Sequence, residues 1–387
     1  MLKKFSKIIF AALIIFSQPS YAAPSSKGEL KSGKSHKNQE NSQDKIAQNQ
    51  EIQALKSKDV EPIKITLADD IVLTEYVPKR HEKDRKGIFT YVLENDKFAG
   101  TDRGYTNGMR FSYTTSQDSM PSFVQKAASY LPLLTRNGAK RINIAIGQSM
   151  FTPNDTYASQ PIPNDRPYAG WAYGSLGLIS DTEKILDVAV LTIGIVGPSA
   201  QGKNAQNEVH KAMGVEESHG WKNQLKDELG VNFTYERKWR NIFEASPFGF
   251  AIDAIPHLGI NLGNVDTSAA AGVTVRLGYD LPSDYGPPRI RPSLPGSDFF
   301  VPSKQITGYL FSTLSGSYVV RNIFLDGNSF RSGPSVEKRD LVGSLQVGVS
   351  AAYKDIRISY ANVLLTEEYV GEQGNVKFGV FTVSYRF

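Results

Sequence analysis

Lys377 to Phe387 reads KFGVFTVSYRF, in which Phe381, Val383, Tyr385 and Phe387 alternate with Thr382, Ser384 and Arg386. Successive side chains of a strand point to opposite faces, so this segment predicts a strand with one apolar and one polar face, ending on an aromatic residue. A terminal strand of that kind, closing on Phe, resembles the assembly signal of outer-membrane barrels, which implies the barrel assembly machinery as a partner. The same period of two runs through Asn107 to Thr115, where Met109, Phe111 and Tyr113 alternate with Arg110, Ser112 and Thr114. It returns at Ile142, Ile144 and Ile146, and from Phe250 to Asn261, where Ile252, Ala254, Pro256, Leu258 and Ile260 alternate with Asp253, His257 and Asn261. A soluble sandwich shows this alternation too. Aromatic residues at segment ends, as in Tyr168 to Tyr173, match interfacial girdles and favour a membrane barrel. About twelve strands are expected after Gly87, an even number as such barrels require. The fold class is therefore all-β, a single antiparallel transmembrane β-barrel with a short extracellular loop helix, in the outer membrane of a Gram-negative cell.

The start of the chain agrees with export. Lys3, Lys4 and Lys7 precede the apolar run Ile8 to Phe16, and Ser20-Tyr21-Ala22 offers small residues where a signal peptidase cuts, so residues 1–22 read as a signal peptide. That run is too short for the roughly 20 residues of a spanning helix, and no later stretch supplies one. Strands must then do the spanning, and only a closed barrel leaves no backbone polar group unpaired in lipid. Residues 23–86 are rich in Lys, Gln, Asn, Ser and Glu, with Tyr76 their only aromatic residue. They are expected to be a largely disordered periplasmic extension, with Ile63 to Val77 the part most apt to order. Residues 87–387 are the barrel. With no cysteine, neither a disulfide framework nor a thiolate metal site is available. The net charge of +5 suits a surface meeting phosphorylated lipid, and export argues against nucleic acid.

One helix is expected, Asn204 to Met213, with Gly214 where a C-cap glycine belongs. Gln206 and His210, four residues apart, share one of its faces. Taken singly, the polar motifs have ordinary readings. Asn95-Asp96 suits a strand end, Thr101 to Gly108 a loop, Asn164 to Trp171 a proline turn with an aromatic anchor, and a lone helical histidine is more often structural.

In order along the chain, Glu94 to Gly108 (ENDKFAGTDRGYTNG), Asn164 to Trp171 (NDRPYAGW) and Val196 to Glu216 (VGPSAQGKNAQNEVHKAMGVE) resemble the outer-membrane lipid A 3'-O-deacylase family. The resemblance covers Gly87 to Phe387. It implies a twelve-stranded barrel with an active site between the wall and a loop helix, acting on lipid A of lipopolysaccharide amid outer-membrane lipid. It also implies a calcium site at Asn95, Asp96 and Thr106, and catalytic residues Gln206, His210 and Glu216. The residue types fit ester hydrolysis. Calcium takes oxygen ligands, and a histidine accepts a proton from water near neutral pH. Arg103 and Arg166 either contact lipid A phosphates or brace their loops. The chain departs from the family pattern at Ser218, where a tyrosine is expected, and it has no Lys-Arg pair between Asn154 and Asn164. A monomer is expected. Two other functions compete. An outer-membrane phospholipase would carry a His-X-Ser motif, and no histidine here has a serine two residues on. A passive pore needs no clustered Asn95, Asp96, Thr106 and His210.

Overall fold

The computed structural model describes residues 64–68, 71–74 and 84–387, apart from 100–103, 118, 131, 214–215, 241–242, 247–249, 280 and 291–296. The signal peptide, most of the extension, Arg103 and Gly214 lie outside the described residues. Lys64–Ala68 and Ile71–Thr74, within the stretch expected to order, pair as an antiparallel hairpin.

Twelve strands form a closed antiparallel ring. They are β1 (Ile88–Asn95), β2 (Gly104–Thr114), β3 (Ala139–Thr152), β4 (Ala169–Asp181), β5 (Ile185–Val196) and β6 (Glu228–Trp239). The ring continues with β7 (Ala251–Gly263), β8 (Asp266–Tyr279), β9 (Ile306–Asn322), β10 (Leu341–Tyr353), β11 (Ile356–Leu365) and β12 (Val376–Arg386). A short thirteenth strand, Phe243–Ala245, pairs only with the start of β7. Each strand pairs with its neighbour in sequence, and β12 closes on β1 from Gly379↔Asn95 to Arg386↔Ile88. Gly87 and Phe387 exchange main-chain hydrogen bonds of 3.2 and 3.0 Å, so both ends of the barrel segment share one rim, called proximal here.

Alternation sorts the side chains as the sequence predicts. On β12, Thr382 and Ser384 are buried inside while Tyr385 and Phe387 are half exposed outside. Phe89, Tyr113 and Phe387 make an aromatic cluster on the outer face of the proximal rim, with ring centroids 5.0 to 6.0 Å apart. The expected girdle at Tyr168 to Tyr173 is corrected. Trp171 and Tyr173 face the lumen, because odd positions of β4 point inward, and Tyr168 is buried beneath a loop.

The lumen is filled from the proximal end. The connection between β8 and β9 folds inward, where Tyr285, Phe299 and Phe300 pack on Ile88, Leu186, Val188 and Ile255. Asp298 pairs with Arg110, whose Nη1 lies 3.1 Å from its carboxylate, and Thr90 Oγ1 donates to Asp298 O at 3.1 Å. Asp284 receives Arg276, Arg357 (2.9 Å) and Tyr309 Oη (3.0 Å). The segment reaches β1 near its far end, with Ile290 N donating to Glu94 Oε1 at 2.9 Å. At the mouth Asp84 pairs with Arg141 (2.7 Å) and Arg386 (2.8 Å), extending the ordered unit before Gly87. A buried carboxylate between two guanidinium groups offsets its desolvation by pairing.

Among the described residues two helices join the expected one. Helix α1 (Ser122–Tyr130) lies in the connection from β2 to β3, and α2 (Gly202–Met213) begins two residues before the predicted start. A single turn, α3 (Ile323–Asp326), follows β9. Sequence reading passed over α1 because SFVQKAASY is short and sits between turn-like flanks. Tertiary packing supplies its stability.

Candidate active site

Which face the site occupies follows from the alternation. Tyr105, Phe151, Trp171 and Tyr173 line the lumen, so Asn107, Met150 and Gly170 face outward. Thr106 is the extra residue of a bulge between Tyr105 and Asn107 on β2. A bulge re-aims a side chain, and here Thr106 Oγ1 lies 2.7 Å from Thr152 Oγ1 on β3. Asn95 ends β1, pairs across to Asn107, and accepts from Lys97 N at 2.9 Å. Asp96 opens a four-residue 3-10 turn and is fully buried. Asn95, Asp96 and Thr106 thus gather where β1 and β2 meet, at the opposite rim, called distal here.

Helix α2 lies against β3 and β4 on the outer face. Gly197, at φ 108°, permits the turn into it, since a Cβ there would stand 2.6 Å from Asp227 N. Gln148 Nε2 donates to Ala200 O at 2.6 Å, and Gly197 N donates to Gly170 O at 2.9 Å. Gly170 and Gly202 have no side chain where helix and wall meet, their built Cβ positions falling 3.2 Å from Ala200 Cβ and 2.8 Å from Trp221.

Gln206 and His210, one turn apart, are both buried. Trp221 Nε1 donates to Gln206 Oε1 at 2.7 Å, and Trp221 packs with Met150 and Tyr168. The indole N–H can only donate, so it fixes the amide with its oxygen toward Trp221. Gln206 Nε2 is buried and has no hydrogen-bond partner among the described residues, and Ser218 Oγ shares that state. His210 Nδ1 lies 2.7 Å from the main-chain oxygen of Glu216. A carbonyl only accepts, so Nδ1 carries the proton and Nε2 the free lone pair in the neutral ring. The contribution of Glu216 is this carbonyl. Its carboxylate is exposed, 3.5 Å from His219 Nε2.

Arg166 is buried in a loop brace. Its Nη1 donates to Glu368 Oε2 at 3.1 Å, and its guanidinium lies 5.3 Å from the Phe151 ring centroid. Asp165 beside it accepts from Asn154 N (2.8 Å) and Tyr369 Oη (2.6 Å). Burial and the neighbouring Glu368 raise the Glu372 pKa to about 7, against the pull of Arg166. Of the two readings of Arg166, this geometry fits bracing.

Among the described residues no three Asp, Glu or His side chains group as a metal cluster. A cation beside Asn95, Asp96 and Thr106 would meet one carboxylate with amide, hydroxyl and main-chain oxygens, a donor set suited to a hard cation. A cavity of about 220 Å³ in the lumen, lined by Glu94, Arg110, Asn232, Asp266 and Arg289 among others, contains none of the site residues. Sequence reading missed Trp221 and Thr152. A tryptophan just beyond a candidate catalytic helix was the one signal available for the first.

A family model described as outer membrane protein LpxR matches residues 64–387. Among solved structures, LpxR from Salmonella typhimurium superposes with a TM-score of 0.64 at 18% identity, covering 78% of this chain and 100% of that one. The β domain of the Bordetella autotransporter BrkA reaches a TM-score of 0.39 at 10% identity, covering 79% of this chain and 99% of its own. No curated protein sequence matches the chain. The family match spans most of the chain, and the solved LpxR shares its closed barrel, so this chain belongs to the LpxR family of outer membrane proteins.

Proposed function

We propose that this protein is a calcium-dependent lipid A 3'-O-deacylase, hydrolysing the ester that carries the 3' acyloxyacyl chain, with His210 as the base. The observation that carries the reading is the buried pair Gln206 and His210 on a helix docked to the lipid-facing side of the barrel wall. His210 has its Nδ1–H engaged, leaving Nε2 to accept, while Gln206 has its amide nitrogen without a partner among the described residues. A site on the outer face suits a substrate that never leaves the bilayer. Family membership supports the same activity.

In this mechanism His210 Nε2 takes a proton from water, and the hydroxide adds to the ester carbonyl. Gln206 Nε2–H donates to the oxygen that gains negative charge, a stabilisation worth most in a dry site. As the tetrahedral intermediate collapses, the C–O bond to the sugar breaks and the imidazolium returns its proton to the departing 3' oxygen. The products are a free acid and a sugar hydroxyl. Asn95, Asp96 and Thr106 would hold calcium, whose charge polarises an ester carbonyl when bound. No serine nucleophile is needed, and Ser218 Oγ is positioned to bond water or a substrate oxygen. A phospholipase of the His-X-Ser kind lacks its motif, and the filled lumen weighs against a pore.

Mass spectrometry of lipid A incubated with the purified protein tests this. In calcium, the mass of the 3' acyloxyacyl chain should be lost, and excess chelator should prevent the loss. Lipid A unchanged by folded protein in calcium sinks the proposal; full activity in chelator sinks its metal part alone.

A further inference from the structure

Helix α1 has two apolar faces. Val124 and Ala128, one turn apart, join Met120 and Leu134 in a cluster with Ala189, Ile142, Leu178 and Phe233. Each of these last four occupies an outward position of its strand. On β3 to β6 the inward positions are those that line the lumen, such as Ser149, Ser175, Thr192 and Asn232. The connection from β2 to β3 therefore folds back over the outside of the barrel. Its far end is pinned there, with Thr135 N (2.8 Å) and Thr135 Oγ1 (2.5 Å) both donating to Asp187. Arg237 Nε (2.6 Å) and Tyr235 Oη (2.9 Å) donate to the same carboxylate.

The helix's other side is the unusual one. Phe123 and Tyr130 are seven residues, two turns, apart and so share a face, and they are 74% and 76% exposed. A helix packed on a protein and facing water carries polar residues on that side. Here its two largest side chains stand there instead.

We propose that α1 is an interfacial helix docked on the barrel wall, with Phe123 and Tyr130 seated in the lipid of the leaflet at the proximal rim. Continuity names the occupant. Farther along the same wall from the helix, the outward residues Ile144, Ile146 and Leu176 are each more than half exposed, the bare belt that meets acyl chains. The cover and the belt share β3 and β4, so a helix at that depth borders lipid rather than water. Aromatic residues at the boundary between headgroups and acyl chains are the favoured anchors of such helices. On this sector lipid of the proximal leaflet packs against a helix, and lipid of the distal leaflet against bare strands up to α2. The inference is independent of any enzymatic activity.

The chain has no cysteine, so single nitroxide labels report cleanly. Phe123→Cys and Tyr130→Cys, labelled and reconstituted as full-length protein in phosphatidylethanolamine and phosphatidylglycerol vesicles, should collide more with oxygen than with a water-soluble nickel chelate. Ile144→Cys on the bare wall should behave likewise, and Gln373→Cys in an exposed loop should show the reverse. Nickel collisions at 123 and 130 matching those at 373 would place the helix in water and overturn the proposal. Exclusion of both reagents, with dipolar broadening between labels, would overturn it in favour of a second copy of the chain. If a cysteine variant does not fold, Phe123→Trp in vesicles with brominated acyl chains gives the same reading. Its added fluorescence should be quenched, and unquenched emission overturns the proposal.

Discussion

In the proposed reaction His210 would act through one ring nitrogen, because the other is held by the Glu216 carbonyl at 2.7 Å. His210→Ala should therefore lower turnover by about 10² to 10⁴, the usual contribution of a positioned base, in protein that still shows heat-modifiable migration. Glu216→Ala should leave turnover nearly unchanged, since the contact is main-chain, and so should His219→Ala, whose ring is half exposed. Initial rates on lipid A set the His210 variant apart from the other two. Glu372 makes a different kind of prediction. Its folded pKa of about 7 stands above the ordinary 4.5, so folding favours its protonated form. That contribution is fully present below pH 4.5 and is lost as pH rises through 7. Glu372→Gln, neutral throughout, should match wild type at pH 4 and exceed it at pH 8 in the midpoint of thermal unfolding. Asp84 has the opposite sign. Burial raises its pKa but Arg141 and Arg386 outweigh it, so its contribution is lost as pH falls.

At the scale of an element, α2 is a separate piece fastened to a wall that closes without it. Its fastening is glycine against tryptophan, since a Cβ at Gly202 would stand 2.8 Å from Trp221. Gly202→Val should displace the helix and abolish most activity while the barrel folds normally, as seen by heat-modifiable migration beside lipid A assays. Trp221→Phe keeps the ring and removes the N–H that orients Gln206. It should cut kcat by about tenfold, the worth of one hydrogen bond of about 1.4 kcal/mol, with KM little changed. In a Gln206→Ala background the same change should cost nothing further, because both act through one amide. Losses that multiply would make Trp221 a packing residue only.

For the whole molecule, the segment between β8 and β9 should keep the barrel closed to ions. It spans from Asp284, bound to Arg276 and Arg357, to Asp298, bound to Arg110 and Thr90 Oγ1, and three buried aromatic residues seal the proximal half. Deleting residues 284–300, which removes the three sealing aromatic residues with Asp284 and Asp298, should turn a silent barrel into an ion channel in planar bilayers, while the ring of strands persists because its ladder does not include that segment. Equal conductance before and after deletion would mean the segment does not close the lumen.

The sequence alone determined most of the strands, their split into a polar and an apolar face, and the order of the polar motifs. Each is a local property, since a period of two and a turn residue are read within a dozen positions. Helix α2 was legible for the same reason, with Gln206 and His210 on one face. Tertiary structure decided what depends on partners distant in the chain. Nothing local pairs Asp284 or Asp298, and only the ring of strands around their segment gives them Arg110, Arg276 and Arg357. Trp171 and Tyr173 looked like interfacial anchors until the register of β4 turned them inward. Thr106 meets Thr152 because a bulge, invisible in the spacing, re-aims it. Glu216 meets His210 through its main-chain carbonyl, a contact that the side-chain type does not announce. Closure of twelve strands fixes these long-range neighbours at once.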